Sequence, residues 1–139
     1  MTDKIRSDDH KVEMSPAEWK QRLTPEQFEV LRMKGTELAG TGKYEHPVFE
    51  GTFTCAGCGQ PLFKSDDQFD SRSGWPSFDR PIDPGAIVLE RDTSYGMVRT
   101  EVTCARCGGH LGHVFDDGPK TTGERFCINS VSIDLDQSV

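Results

Sequence analysis

Residues 51–64 read Gly-Thr-Phe-Thr-Cys55-Ala-Gly-Cys58-Gly-Gln-Pro-Leu-Phe-Lys, a Cys-x-x-Cys-Gly turn between two short β-prone runs. The same pattern returns as Cys104-Ala-Arg-Cys107-Gly. Two residues between cysteines let both sulfurs reach one metal ion at about 2.3 Å, and the glycine after each pair lets backbone amides approach the sulfurs. The duplicated pattern therefore predicts two β-hairpins that one ion holds together.

The two cysteine pairs could serve something other than a metal ion. The pairs could instead form two disulfides or a redox-active pair, but a redox Cys-x-x-Cys normally opens a helix, and neither unit here does. Four thiolates at this spacing suit one structural zinc ion, so we expect zinc as the cofactor. Closing a long loop removes much entropy from the unfolded chain, which suits a chain of 139 residues of which only 34% are hydrophobic.

The residue pattern after residue 50 is typical of a β protein. Short β-prone runs alternate there with clusters of Gly, Pro, Asp and Ser, and no helix of ordinary length fits. We therefore expect a mainly β, antiparallel body. The predicted strands are Gly51–Thr54, Pro61–Lys64, Ile87–Arg91, Gly96–Thr103, His110–Phe115 and Phe126–Leu135.

A short helical N-terminal extension precedes this body. Ser15-Pro-Ala-Glu and Thr24-Pro-Glu-Gln each combine an N-cap, a proline at the first helical position and the acid or amide of a capping box. The second helix is predicted to run to Lys34, with Gly35 as its C-cap. Residues 1–14 are predicted to be a flexible tail, and residues 15–139 a single domain.

Charge and hydropathy exclude several functions. The formal net charge is −7, which disfavours nucleic acids and anionic membranes as partners. No apolar run approaches the roughly 20 residues of a membrane helix, and the charged N-terminus does not resemble a signal peptide. Cysteines used for metal and catalysis suit a reducing compartment, so we expect the cytoplasm.

The fifth cysteine, Cys127, lies in the run Arg-Phe-Cys-Ile-Asn that covers residues 125–129. A lone cysteine in a strand is usually a small buried hydrophobic residue. Strand alternation, however, puts Arg125, Cys127 and Asn129 on one face, followed by Val131 and Ile133. A cation lowers the pKa of a nearby thiol and an amide can orient a polar ligand, so these neighbours favour a nucleophilic cysteine.

Two of the four histidines, His110 and His113, are three residues apart in a glycine-rich predicted strand. On a regular strand they would face opposite sides, but a bulge at Gly112 would bring both imidazoles to one face. They could complete a zinc site or, as we expect, handle protons near Cys127. His10 and His46 are interpreted as surface residues.

Three motifs together resemble a known family. Gly-Trp-Pro-Ser-Phe at 74–78, His-Leu-Gly-His-Val-Phe at 110–115 and Arg-Phe-Cys-Ile-Asn-Ser at 125–130, with the cysteine pairs, are similar to the methionine-R-sulfoxide reductases of the B type. The resemblance runs from about Trp19 to Leu135. It implies two antiparallel sheets, a zinc site remote from the active site, and reduction of the R epimer of methionine sulfoxide, a protein-repair reaction in oxidative stress.

The resemblance also implies residue roles. Cys127 would be the catalytic cysteine, His113 and His110 would bind and protonate the sulfoxide oxygen, and Asn129 would be the polar residue beside the cysteine. Substrate contacts or their support would come from Trp75, Phe115, Arg125 and Asp117. The zinc ligands would be Cys55, Cys58, Cys104 and Cys107.

One position departs from the family pattern. Many members carry a second, resolving cysteine just before the Gly-Trp-Pro-Ser-Phe motif, where this chain has Ser73. We therefore expect no internal disulfide, and an external thiol of the thioredoxin, glutaredoxin or glutathione type as reductant. The expected substrate is an oxidised protein or peptide, and the expected state is a monomer.

Two other functions compete with this interpretation. A non-catalytic zinc-ribbon interaction module would explain the four paired cysteines but would leave Cys127, His113 and Trp75 without a role. Zinc hydrolase chemistry needs an open metal position, which four thiolates do not leave.

Overall fold

The computed structural model of the protein describes residues 12–137 and begins with two short helices. They are α1 (Pro16–Arg22) and α2 (Pro25–Leu31), and both predicted capping boxes are present. The Ser15 hydroxyl accepts from the backbone N–H of Glu18, as predicted, and Thr24 does the same one helix later. The helical N-terminal extension is therefore confirmed.

The second helix is shorter than predicted. It ends at Leu31 instead of Lys34, because Lys34 adopts a φ of 60°, which an α-helix cannot continue. The C-cap is Arg32 and not the predicted Gly35, although the Gly35 N–H bonds back to the carbonyl of Glu29. Of the predicted tail, residues 1–11 lie outside the described residues. Val12 donates a backbone hydrogen bond to the carbonyl of Arg106.

The body is built from nine strands in the described residues, all paired antiparallel. One sheet has the order β2-β1-β9 and the other the order β3-β4-β8-β7-β6-β5. The mainly β fold with two antiparallel sheets is therefore confirmed. The strands are β1 (Thr52–Cys55), β2 (Pro61–Lys64), β3 (Gln68–Phe69), β4 (Ser77–Phe78), β5 (Ile87–Asp92), β6 (Arg99–Cys104), β7 (His110–Phe115), β8 (Arg125–Ile128) and β9 (Ile133–Asp136).

The prediction of one strand over Phe126–Leu135 was wrong. The run divides into β8 and β9, which belong to different sheets. Between them the chain turns at Ser130–Ser132, where the N–H of Ser132 bonds the carbonyl of Asn129. The predicted alternation of side chains therefore stops at Asn129 and does not extend to Val131.

One other strand prediction needs correction, and two strands were missed. The predicted strand Gly96–Thr103 begins only at Arg99, because a 3₁₀ turn at Ser94–Gly96 precedes it and Tyr95 has a φ of 57°. The two-residue strands β3 and β4 were not predicted. Each is too short to show the alternation that marks a strand in sequence.

An aromatic core joins the two sheets. Phe53 and Phe63 come from the smaller sheet, while Phe78 and Phe126 come from the larger one. The ring centroids of Phe63 and Phe78 are 4.4 Å apart, and those of Phe53 and Phe78 are 5.4 Å apart. Such pairs add about 0.5–1.5 kcal/mol each beyond the burial of their area. These rings therefore fix how one sheet lies on the other.

Strand β7 contains the irregularity that the histidine spacing required. His110 pairs with Thr103 of β6 and Gly112 pairs with Val102, so Leu111 is the extra residue. The bulge therefore lies one residue before the predicted Gly112. Its effect on the histidines is the predicted one, since the ring centroids of His110 and His113 are 5.4 Å apart.

Gly112 is needed for close approach of β7 to β8. A Cβ at this position would overlap the backbone carbonyl oxygen of Cys127. We expect Gly112→Ala to destabilise the fold at the upper end of the roughly 1–3 kcal/mol typical of overpacking, measured by urea unfolding. Gly85→Ala is the matched control, because the nearest atom there lies 3.8 Å away and the variant should unfold like the wild type. Equal stability of both variants would contradict this role of Gly112.

Candidate active site and metal centre

The four paired cysteines meet at one end of the molecule. Cys55 and Cys58 come from the β1–β2 hairpin, Cys104 and Cys107 from the β6–β7 hairpin, and their sulfurs lie within 4.8 Å of one another. The Cys55–Cys107 and Cys58–Cys104 sulfur distances are 3.7 and 3.5 Å. A tetrahedral ion with 2.3 Å bonds needs sulfurs about 3.8 Å apart. The four side chains therefore fit a metal ion that would tie the two sheets together.

The two cysteine turns have the same backbone. The N–H of Gly59 bonds the carbonyl of Cys55, and the N–H of Gly108 bonds the carbonyl of Cys104, both at 2.8 Å. Both glycines have a positive φ, 85° and 77°, which other residues rarely adopt. The Cys-x-x-Cys-Gly spacing thus produces one turn twice, and each turn presents its sulfurs to the same point.

The helical extension packs on this centre. The Nε–H of Arg22 donates to the carbonyl of Gly57 at 2.6 Å, and Nη1 of Arg32 donates to the carbonyl of Cys107 at 3.0 Å. The Arg32 guanidinium also lies 4.6 Å from the centroid of the Trp19 ring. Four thiolates around a divalent ion carry two excess negative charges, so two cations beside the turns are electrostatically favourable.

Cys127 lies in the middle of the larger sheet, with a neighbour on each side. It pairs in register with Ser77 of β4 and with His113 of β7. Directly opposed residues of antiparallel strands have their side chains on the same face, so the thiol and the imidazole face the same space. This space is a pocket of about 180 Å³, called here the Cys127 pocket. It is lined by Thr36, Ser73, Trp75, Arg99, Gly112, His113, Phe115, Arg125, Cys127 and Asn129.

Two of the predicted site residues stand outside the Cys127 pocket. His110 is 2% exposed and lies behind His113. Asp117 lies beyond the pocket and reaches it through Arg125, whose Nε–H donates to its carboxylate at 2.9 Å. The Arg125 guanidinium also lies 4.6 Å from the centroid of the Phe115 ring, so its position is fixed from two sides.

A buried carboxylate orients His113. The Nε2 atom of His113 lies 2.8 Å from Oδ2 of Asp92, whose side chain is 5% exposed. This bond, with further bonds from the N–H and hydroxyl of Ser94, holds the pKa of Asp92 well below its usual range. An ionised carboxylate only accepts hydrogen bonds, so Nε2 of His113 carries a proton.

His110 has a similar partner. Its Nδ1 lies 2.7 Å from Oε2 of Glu101, and the other oxygen of Glu101 lies 3.3 Å from Nζ of Lys34. Burial lowers the pKa of His110, although Glu101 opposes this effect. The remaining Nε2 has no hydrogen-bond partner among the described residues. Each imidazole therefore has its own carboxylate.

Residues 23–137 match the family model described as the SelR domain. The chain belongs to the SelR family, the B-type methionine sulfoxide reductases. It is 52% identical over 124 residues to a Leptospira interrogans protein called peptide methionine sulfoxide reductase MsrB, covering 89% of this chain and 95% of that one. Proteins of the same name from Pseudomonas putida and Methanosarcina barkeri are 55% and 56% identical, over 90% and 89% of this chain and 95% and 87% of theirs.

The SelR chain gives Cys127 an environment of opposing effects. Burial raises the pKa of the Cys127 thiol, while Arg125 and a hydrogen bond from the Ser73 hydroxyl lower it, and the net direction is upward. Arg125 therefore lowers the pKa of the Cys127 thiol, as expected of a neighbouring cation, but the effect of burial is larger. Ser73 and Cys127 line the same pocket.

Several residues of the SelR site were missed in the sequence. Asp92 and Glu101 hold the histidines, Arg99 lines the Cys127 pocket, and Glu37 contacts two of the predicted site residues. None belongs to the motifs that carried the resemblance. The available signal was weak, because Asp92 follows the predicted strand Ile87–Arg91 whereas Arg99 lies inside the predicted strand Gly96–Thr103. The pairing of Asp92 with Arg99 appears only in the structure.

Acidification tests the Asp92–His113 contact. A carboxyl whose folded pKa lies below its ordinary 3.8 stabilises the fold above that value, and the contribution is lost as the pH falls below it. We expect Asp92→Asn to cost about 1–3 kcal/mol at pH 7, and the difference from wild type to shrink below about pH 4. Urea unfolding across pH 2–7 measures it, with the exposed Asp134→Asn as control. A difference that stays constant over this range would contradict the assignment.

In the described residues no helix has both the length and the apolar character needed to span a membrane.

Proposed function

We propose that this chain reduces the R epimer of methionine sulfoxide in oxidised proteins and peptides, with Cys127 as the nucleophile. The observation that carries the proposal is the pairing of Cys127 with His113 in register, both facing a pocket that Trp75 also lines. This places a thiol, a proton source and an apolar wall around one small space. The relatives that share the family are named for the same reaction.

The reaction transfers one oxygen atom. The Cys127 thiolate attacks the sulfoxide sulfur, and the oxygen must gain a proton because it is otherwise a poor leaving group. His113 lines the pocket, and because its Nε2–H is donated to Asp92, it delivers that proton from Nδ1 in its protonated form. The protonated oxygen leaves as water when the bond between the Cys127 sulfur and the substrate sulfur has formed. Water then adds to the Cys127 sulfur, the bond between the two sulfurs breaks with its electron pair going to methionine, and Cys127 is left as a sulfenic acid. Thiol and sulfoxide thus become sulfenic acid and thioether, with no other electron donor in this step.

Substrate recognition follows from the other pocket residues. The Trp75 indole and the Phe115 ring give apolar walls for the methyl group and side-chain carbons of the substrate. Arg125, oriented by Asp117, lies beside the Cys127 sulfur and favours the thiolate. Asn129 lines the same pocket, and His110 supports His113 from behind it.

The metal has a structural role in this proposal. We assign Cys55, Cys58, Cys104 and Cys107 to one zinc ion, because four clustered thiolates suit zinc and leave no open coordination position. The ion supplies a cross-link between the sheets. A catalytic thiol and four thiolate ligands in one chain favour a reducing cytoplasm. A monomer suffices, since the pocket is formed within one chain.

The epimers distinguish this function. Methionine release from each separated epimer, with dithiothreitol as reductant, should be fast for the R form and close to background for the S form. Equal turnover of both epimers, or of neither, would refute the proposal.

The state of Cys127 after one turnover tests the recycling step. With one equivalent of substrate and no reductant, mass spectrometry should find one added oxygen on Cys127 and no internal disulfide, because Ser73 replaces the resolving cysteine. Ser73→Cys should convert the product to a disulfide, since residues 73 and 127 line the same pocket. An external thiol then clears the sulfenic acid in the wild type. An internal disulfide in the wild type would contradict the prediction.

A further inference from the structure

Glu37 connects two side chains of the Cys127 pocket through its backbone. Its N–H donates to Oδ1 of Asn129 at 3.0 Å, and its carbonyl accepts from the indole Nε1–H of Trp75 at 3.1 Å. The amide of Asn129 also donates to the carbonyl of Leu111 at 3.0 Å. One residue outside the family motifs therefore sets the position of the indole and of the residue two positions after the nucleophile.

The side chain of Glu37 holds this backbone in place. Oε1 accepts the backbone N–H of Val131 at 3.0 Å, and the carboxylate also receives bonds from Ser130. Both partners lie in the turn that follows β8. The other oxygen, Oε2, is buried, and Gly42 passes so close that a Cβ there would lie 2.5 Å from it. The carboxylate is thus enclosed between its own segment and the β8–β9 turn.

The segment that Glu37 anchors is irregular and is also held by hydrogen bonds from the N–H of Gly40 to the carbonyl of Gly74 and from Nε2 of Gln68 to the carbonyl of Tyr44. Residues 32–50 contain neither helix nor strand. Within it, the N–H of Tyr44 bonds the hydroxyl of Ser130, so the second fastening point lies on the same turn. Thr36, next to Glu37, lines the Cys127 pocket, whereas Glu37 itself does not. Glu37 must therefore act through its neighbours.

We propose that Glu37 is a positioning residue, whose carboxylate fastens residues 36–44 to the turn after β8 and so fixes the Trp75 indole over the Cys127 pocket. The expected change in kinetics rests on the proposed function, whereas the position of the indole does not. In the proposed function Trp75 contacts the substrate side chain. Loss of the anchor should therefore weaken substrate binding more than it slows the chemical step. A misplaced binding wall raises KM, while Cys127 and His113 remain on their paired strands.

Glu37→Ala, Glu37→Gln and the control Glu90→Ala test this role. Glu37→Ala should raise KM for the R epimer about tenfold and change kcat by less than about threefold. Glu37→Gln keeps the acceptor for the Val131 N–H and should stay within about twofold of wild type. Glu90 is exposed on the edge strand β5, and its replacement should change nothing.

The indole N–H signals provide a readout that needs no turnover. The chain has two tryptophans, and in Glu37→Ala the ¹⁵N-HSQC signal of Trp75 should shift while that of Trp19 stays. If Glu37→Ala does not fold, Glu37→Asp, which keeps the charge but shortens the anchor, takes its place with the same expectation. An unchanged Trp75 signal together with an unchanged KM would overturn the inference. Absence of turnover in the wild type would instead refute the proposed function and leave the Trp75 signal to decide on Glu37.

Discussion

Replacing Cys127 with serine should lower methionine release by at least about 10⁴-fold while the fold and the metal centre remain. The serine hydroxyl is almost the same size as the thiol but is not ionised near neutral pH, so the attacking anion is lost. Cys127 lies at the pocket and apart from the four clustered cysteines, so no metal ligand is removed. The measurement is methionine release from the R epimer, with thermal unfolding and zinc content recorded on the same preparation.

The same variant separates the two interpretations of the chain. A zinc-ribbon interaction module would be indifferent to the change, since its four thiolates would be intact. Alkylation of native wild-type protein is the control, because Cys127 is the only cysteine outside the metal cluster and should be the one modified. Turnover that persisted in Cys127→Ser would exclude this residue as the nucleophile.

Replacing Cys104 with serine should have the largest effect on stability. Cys104 is 1% exposed and ends β6, where the cluster ties the six-stranded sheet to the β1–β2 hairpin. Structural zinc contributes about 10–16 kcal/mol in small zinc domains, and a whole domain is stable by only about 5–15 kcal/mol. We expect a melting temperature lower by about 10 °C or more, or a variant that does not fold.

Circular dichroism and zinc content measure this effect, with Cys127→Ser as the matched single-cysteine control. Treating the wild type with a strong chelator should reproduce the loss of stability, because the contribution belongs to the ion. A Cys104→Ser protein with wild-type melting behaviour would show that the aromatic core alone holds the sheets together.

The register of β5 and β6 places the metal ligands far from the carboxylate that orients His113. Ile87 pairs with Cys104 at one end of the hairpin, and Asp92 pairs with Arg99 at the other. Five residues of extended chain span about 17 Å. The carboxylate that orients His113 thus lies far from the metal ligands, so loss of the metal should affect activity only through the fold.

Local signals in the sequence determined the parts of the fold that depend on near neighbours. The capping boxes at Ser15 and Thr24 formed as predicted, because each needs only residues within one helical turn. The repeated Cys-x-x-Cys-Gly turn formed twice for the same reason. The mainly β architecture followed from short β-prone runs between turn residues.

The candidate site depends both on sequence motifs and on strand register. The sequence indicated Cys127 and His113 through motifs, but only the register of β7 and β8 places them opposite each other. The extra residue Leu111 shifts β7 against its other neighbour, β6, and glycine density predicted this bulge only to within one position. A shift of one residue would turn either side chain to the other face of the sheet.

What only the tertiary structure decided are the long-range partners and the division of the last strand. Glu37 meets Trp75 and Asn129, and Asp92 meets His113, across separations in sequence that no local pattern records. The chain after Asn129 turns into the second sheet because its backbone bonds are satisfied there, although its residues alone favour a continuous strand. Local conformation follows from neighbouring residues, whereas strand partners and carboxylate contacts follow from how the whole core closes.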